Sequence, residues 1–206
     1  MTAGLSERQA AKREQIATAA RRLFLELGYA GTSMDAVAAE AGVSKQTVYV
    51  YFPAKLDLLR AILDEEMTAI ASAEAVLPEL HTVEDLRGLL LGFAERLAKT
   101  LLLPDTVSVI RLTLGEAFRL PELRETLRNA LPVRALHRFA SLIEDADARG
   151  LIAAPDADLA ARMLLGPIMT YVAIDGFLTT GDVVPPSAEK LMRIVDYFLA
   201  MVEVTP

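Results

Sequence analysis

The chain has no cysteine and only two histidines among its 206 residues. The first absence excludes disulfides and thiolate-held metals, and it suits a reducing cytoplasm. The histidines, His81 and His137, stand far apart and form no ligand motif, so each is read as a surface or helix-end residue. No glycine-rich phosphate loop is present, and no nucleophile stands beside a base. The paired carboxylates Glu65 and Glu66 are adjacent on a helix and diverge. An enzyme is therefore not expected, nor a cofactor or metal. Long apolar runs are missing too. The longest uncharged stretch of the later helices, Met163 to Ile174, has twelve residues between Arg162 and Asp175. A helical span takes about 20 residues, so no membrane crossing is expected. The opening MTAGLSERQAAKREQ is polar and charged, so no secretory leader is expected there, and the location follows as cytoplasmic.

What is present is concentrated between Thr32 and Leu59, in TSMDAVAAEAGVSKQTVYVYFPAKLDLL. Ser33 is a good N-cap for a helix from about Met34 to Ala41, whose Met34, Val37, Ala38 and Ala41 recur at helical spacing. Gly42 follows where a left-handed backbone costs glycine little. Val43 reads as a core plug. Ser44 then caps a second helix running to about Phe52. Two short helices around a three- to four-residue turn with glycine have helix–turn–helix spacing.

The second helix has two faces. At about 100° per residue, Val48 and Phe52 point inward. Gln46, Thr47 and Val50 fall opposite, flanked by Lys45, Tyr49 and Tyr51. Glutamine can bond adenine edges, threonine and valine methyls can meet the thymine methyl, and lysine can bond guanine. Tyrosine hydroxyls bond phosphate oxygens and set register. A solvated face opposite a packed one is the plainer alternative for this helix alone. Pro53 then suits the first turn of a following helix, and Lys55 places a cation at the positive end of its dipole, where a phosphate would relieve it. Thr32 and Ser33 offer a second phosphate position, which simple capping would equally explain.

Residues 13 to 59 resemble the N-terminal domain of TetR/AcrR-type transcriptional regulators. The resemblance runs through Ile16, Ala20, Phe24 and Gly28, then Tyr29, Thr32 and Ser33, then AGVSKQTVY and YFPAKLDLL. It implies a three-helix DNA-binding domain whose third helix, near Lys45 to Phe52, enters the major groove. Carried over by position, Lys45, Gln46, Thr47 and Val50 face bases. Thr32, Ser33, Tyr49, Tyr51 and Lys55 face phosphates, with Ser44 at the cap between the two sets.

Net charge is −7, yet the first 60 residues carry eight lysines and arginines against six acids, and the remainder thirteen against twenty-two. DNA meets the local field of the head rather than the total. Arg8, Lys12 and Arg13 can supply a basic arm, or only a solvated helix start.

Almost everything else reads helical, and no strand alternation, repeat or low-complexity tract stands out. The first helix is expected at about Glu7 to Leu27, with Ile16, Ala20, Leu23, Phe24 and Leu27 on one face. Others follow at about Ala54 to Val76, broken by Pro78, then from Thr82 to Leu101, Pro104 to Arg119, Pro121 to Ala130, Pro132 to Arg149, Asp156 or Asp158 to Thr179, and Ser187 to Val204. The expectation is an all-α chain, with a helix-turn-helix domain at 1–53 and a helical effector-binding and dimerisation domain at 54–206.

The body, through VIRLTLGEAFRLPELRETL and RGLIAAPDADLAARMLLGPIM, weakly resembles an AefR-like subgroup. Its mostly apolar pocket is expected to use Phe93, Leu97, Leu112, Glu116, Phe118, Met169, Tyr171 and Phe177, and to hold a lipophilic or aromatic small molecule. Apolar content of 53% points to surface buried between subunits. Leu159, Met163, Ile174, Leu178, Leu191, Ile194, Val195, Phe198 and Val202 are the expected dimer surface. The resemblance implies a homodimer packed there as a four-helix bundle, hence a near-palindromic operator. The functional expectation is a ligand-responsive repressor released from double-stranded DNA by its effector. An activator or partner-controlled regulator, and a helical scaffold without DNA binding, are the alternatives.

Overall fold

A computed structural model describes residues 2–72, 80–128 and 133–202. Every regular element among them is helical: α1 (Thr2–Gly31), α2 (Met34–Glu40), α3 (Lys45–Tyr51), α4 (Lys55–Ser72), α5 (Val83–Leu101), α6 (Pro104–Ala117), α7 (Pro121–Arg128), α8 (Arg134–Ala148), α9 (Ala157–Tyr171) and α10 (Ala188–Met201). The all-α expectation holds. The expected break at Pro78, the expected helix ends at Val76, Ala130 and Val204 and the expected start at Pro132 lie outside the described residues.

The local chemistry explains the boundaries. Ser33, Ser44, Asp156 and Ser187 each accept a backbone N–H of the helix they cap. Thr82 and Asp85 form a reciprocal capping box on α5. Those hydrogen bonds, the Thr82 one first, hold the Asp85 carboxyl below its ordinary value, so their contribution is present above that value and lost as pH falls. Gly42, at φ 62, closes α2: its N–H bonds Ala39 O at 3.1 Å, and Val43 N–H bonds Ala38 O at 3.0 Å. α1 starts earlier than expected and breaks at Gly28 (φ 74, ψ 166), whose left-handed backbone ends the regular helix.

The stretch expected as one helix to Thr179 changes pitch instead. α9 passes into a π-helical turn, Val172–Phe177. Pro167 removes one backbone donor inside α9. In the π turn Gly176 lies against Leu102, where an added Cβ would come within 2.2 Å of the leucine Cδ2. Ala157–Phe177 is 21 residues long with mean hydropathy 1.3, long and apolar enough by length and composition to cross a membrane. The twelve-residue count understated it, because it stopped at Arg162 and Asp175 although α9 and the π turn run through both. Arg162 Nε bonds Asp158 at 2.8 Å, which neutralises the charged end. One side of the stretch is packed within the protein: Ala160, Ala161, Leu164, Leu165, Ile168 and Val172 are all buried.

The helices form two compact units, residues 1–67 with 108–128 and residues 68–107 with 129–206. The core of the first is built by Ile16, Ala20 and Phe24 of α1, Val37 and Ala38 of α2, Val48 of α3, Phe52, and Leu58, Leu59 and Ile62 of α4, joined by Val109 and Leu123. Each large apolar side chain buried there contributes roughly 1.5–3 kcal/mol before chain entropy is charged against it. Leu27 shares the inner face of α1 but is 51% exposed, since close packing ends one turn earlier at Phe24. Val43 is half-buried against this core. In the second unit Leu86, Leu90, Leu97 and Leu101 of α5 are buried, as are Ile143 and Ala146 of α8 and Val195 and Phe198 of α10. Arg87 Nε bonds Asp196 at 2.8 Å, tying α5 to α10.

Candidate nucleic-acid interface

The short helix α3 is held on one side and bare on the other. Val48 is fully buried and Phe52, its C-cap, is 1% exposed. Phe52 N–H bonds Val48 O at 2.8 Å, and the Arg13 guanidinium lies 5.1 Å from the Phe52 ring centroid. The turn before α3 is pinned from α1, where Gln15 Nε2 donates to Ala41 O at 2.7 Å while Gln15 Oε1 accepts from Lys12 Nζ at 2.9 Å. At its start, Ser44 Oγ accepts Thr47 N–H at 3.1 Å and shares a 2.7 Å hydrogen bond with the Thr47 hydroxyl.

The outward face then carries Lys45, Gln46, Tyr49 and Val50, all exposed, with Thr47 and Tyr51 half-buried beside them. Val50 is 73% exposed and Tyr49 42%. Tyr51 packs against the head core and so has less freedom to reach outward. Lys45 is not a free cation. Its Nζ lies 2.7 Å from Asp35 Oδ1 of α2, and that hydrogen bond raises the lysine pKa.

The phosphate-facing set is rearranged relative to the sequence reading. Thr32 is 2% exposed, and its hydroxyl points back to Gly28 O (2.9 Å) and Leu23 O (3.1 Å). Its side chain therefore closes the end of α1 and is not offered to an external phosphate, contrary to expectation. Ser33 is exposed and caps α2 through Ala36 N–H at 3.1 Å. Lys55 Nζ donates to Tyr29 O at 2.6 Å and Thr32 O at 2.8 Å, and sits 4.4 Å from the Tyr29 ring centroid. Two of the three ammonium donors are thus spent on joining α1 to α4, which leaves one for a ligand. Tyr29 itself has a raised pKa, chiefly from burial and then from the charges of Glu116 and Asp57. Gln15 and Asp35 are neighbours of α3 and its turn that the sequence alone does not reveal, since nothing local pairs Gln15 with a residue 26 positions away, while Arg13, expected only in a basic arm, lies over the Phe52 ring.

The expected pocket residues divide between the units. Phe93, Leu97, Met169, Tyr171 and Phe177 belong to the second, and Leu112, Glu116 and Phe118 to the first. Leu97 is buried, while Phe93, Met169, Tyr171 and Phe177 are half-buried. The Phe93 ring meets Phe139 edge-on at 4.2 Å, and Lys190 Nζ lies 5.1 Å from the Tyr171 ring centroid. Leu112 packs on the head core and Glu116 is half-buried. Phe118 is 85% exposed and lines nothing within its unit, contrary to expectation, because it lies in the turn after α6 rather than on its packed face.

The expected dimer surface also divides. Leu159 and Met163 of α9, Ile174 of the π turn and Leu178, its C-cap, are all exposed. Leu191, Val195, Phe198 and Val202 are buried within the chain and have no surface to give a partner. Ile194 is half-buried at the border. The exposed apolar edge of α10 is formed instead by Tyr197 and Met201, in step with Ile194 at i, i+3 and i+7, a spacing visible in the sequence.

Residues 16–62 match the family model described as bacterial regulatory proteins, tetR family. Residues 88–203 match the C-terminal domain of AefR-like transcriptional repressors. The fold is similar to that of a TetR-family transcriptional regulator from Mesorhizobium loti, with a TM-score of 0.80 and 31% identity over 96% of this chain and 99% of that one. The flavonoid-responsive regulator FrrA gives a TM-score of 0.73 at 27% identity over 93% and 97%. The HTH-type transcriptional activator FasR of Mycolicibacterium smegmatis is 37% identical over 76 residues, 37% of this chain and 34% of that protein. The matched stretch thus spans about a third of that relative's length.

Proposed function

Because the chain belongs to the TetR family of bacterial regulatory proteins, we propose that it is a homodimeric, ligand-responsive repressor that binds a near-palindromic operator and is released by a small, largely apolar effector. The observation that carries the DNA reading is the bare face of α3. A valine 73% exposed beside Gln46 and Tyr49 is unexplained by packing. It is explained by a methyl contact to thymine, with Gln46, Thr47 and Lys45 reading neighbouring base edges. Ser33, Tyr49, Tyr51 and the remaining donor of Lys55 serve phosphates and set register.

The exposed edges of α9 and α10 serve the dimer. Two copies joined there present two α3 helices to one face of the duplex. The effector binds in the second unit, where Phe93, Leu97, Met169, Tyr171 and Phe177 supply aromatic and thioether surface. The flavonoid response named for FrrA supports an aromatic effector. DNA and effector oppose each other by the same factor in both directions, as linkage requires. The AefR-like repressor match over the body favours repression. The activator FasR, similar over 76 residues, supports activation as the second reading. Either way the protein acts in the cytoplasm by binding, not catalysis.

The test is binding of the full-length protein to its own upstream DNA across a salt series, followed by titration with a panel of flavonoids and other aromatic compounds. The expected result is selective binding that weakens steeply with salt, by about 0.9 log units per phosphate contact per log unit of salt, and release by at least one compound. Binding equal to that of unrelated DNA, together with failure to select any genomic fragment, would favour the scaffold.

A further inference from the structure

The Asp35–Lys45 pair spans the two helices of the reading head and sits on its exposed side, both side chains being more than half exposed. A cation at the first position of a helix opposes the helix dipole, and α3 has no acidic residue in its first turn to compensate. Asp35, in the first turn of α2, supplies the missing charge across the turn at 2.7 Å. The other acid of α2, Glu40, is paired separately with Arg22 at 2.8 Å, so Asp35 is the carboxylate facing α3. The hydrogen bond also raises the Lys45 pKa above its ordinary value.

We infer that Asp35 is a specificity-determining residue: it neutralises Lys45 and holds its ammonium in a fixed direction, so that Lys45 reads a base edge rather than binding any phosphate it meets. This rests on the DNA-binding reading above and deepens it. A free lysine on the reading face adds affinity for all DNA alike, because the phosphate term is independent of sequence. A lysine whose charge is already paired adds little of that term. It keeps two N–H donors in a fixed place, which is what discrimination between base edges needs. Asp35 thus lowers affinity for random DNA in exchange for selectivity.

The experiment measures affinity of the full-length wild type, Asp35→Asn, Lys45→Ala and the double variant for the selected operator and for random duplex, between 50 and 200 mM salt. Asparagine keeps the size of aspartate and removes its charge. For Asp35→Asn the expected result is tighter binding to random DNA. Its loss of affinity over the salt range should be steeper by about threefold per head, the value of one added phosphate contact, so the operator-to-random ratio falls. Lys45→Ala should lose about tenfold on the operator with the wild-type salt slope. In the double variant the gain from Asp35→Asn should vanish. An unchanged slope in Asp35→Asn would overturn the inference. So would a gain that persists without Lys45, since Asp35 would then act by repelling DNA directly. If the wild type itself prefers no sequence, the DNA-binding reading falls and this inference with it, an outcome distinct from selective binding that ignores Asp35.

Discussion

Replacing Phe52 with alanine is expected to destabilise the reading head by about 3–5 kcal/mol and to abolish operator binding at physiological salt. Phe52 is 1% exposed, ends α3 and packs in the head core, with the Arg13 guanidinium 5.1 Å from its ring centroid. The truncation leaves a cavity under the short helix that carries all the base-facing candidates. Folded domains are stable by only about 5–15 kcal/mol, so this loss is a large share of the total. Urea unfolding followed by circular dichroism measures it. Val50→Ala is the companion variant. At 73% exposure its effect on stability stays within about 0.5 kcal/mol, while its effect on operator affinity does not vanish. An unchanged urea midpoint in Phe52→Ala would contradict the packing account of how α3 is held.

The second large effect is expected at the exposed apolar residues that follow the π turn and line the outer edge of α10. Leu178 is 74% exposed and Tyr197 69%. In the proposed dimer, changing both to glutamate would place four carboxylates in the two-fold interface. Dimer dissociation should strengthen by at least about a thousandfold, since the loss of even one hot-spot side chain costs 2 kcal/mol or more. Sedimentation at micromolar concentration should show a monomer with unchanged helical content, and binding to the full operator should fall with it. The same change at Val195, which is buried within the chain, should unfold the second unit rather than split a dimer. A double variant that remains dimeric would place the interface elsewhere.

The contrast between Leu178 and Val195 shows what the sequence can and cannot reveal. Helical periodicity identifies which residues of α10 share a face. It does not say whether that face meets the chain's own α5 or a second copy. Leu191, Val195, Phe198 and Val202 were legible as a stripe, but their burial depends on α5 and α9 arriving from far along the chain. The head was more legible because its signals are local: Ser33 and Ser44 cap within three residues, and Gly42 closes α2 within one turn. For Thr32 the sequence suggests a phosphate position or a cap, because nothing nearby reveals that the Gly28 and Leu23 carbonyls accept its hydroxyl. Lys55 was placed correctly at the start of α4, yet its ammonium is claimed by carbonyls 23 and 26 residues earlier. Asp35 and Lys45 are ten positions apart and on different helices, so only the turn geometry brings them together.

The central claim is that the bare face of α3 reads base sequence. Selection of binding sites from a random duplex pool, with the wild type and with Gln46→Ala and Val50→Ala in parallel, tests it most directly. The wild type is expected to recover a near-palindrome with half-sites about 34–36 Å apart or a multiple of that, and each variant to alter preference at a few base pairs of each half-site with an unchanged salt slope. Recovery of the same sequence by all three proteins, or of none by the wild type, would contradict it.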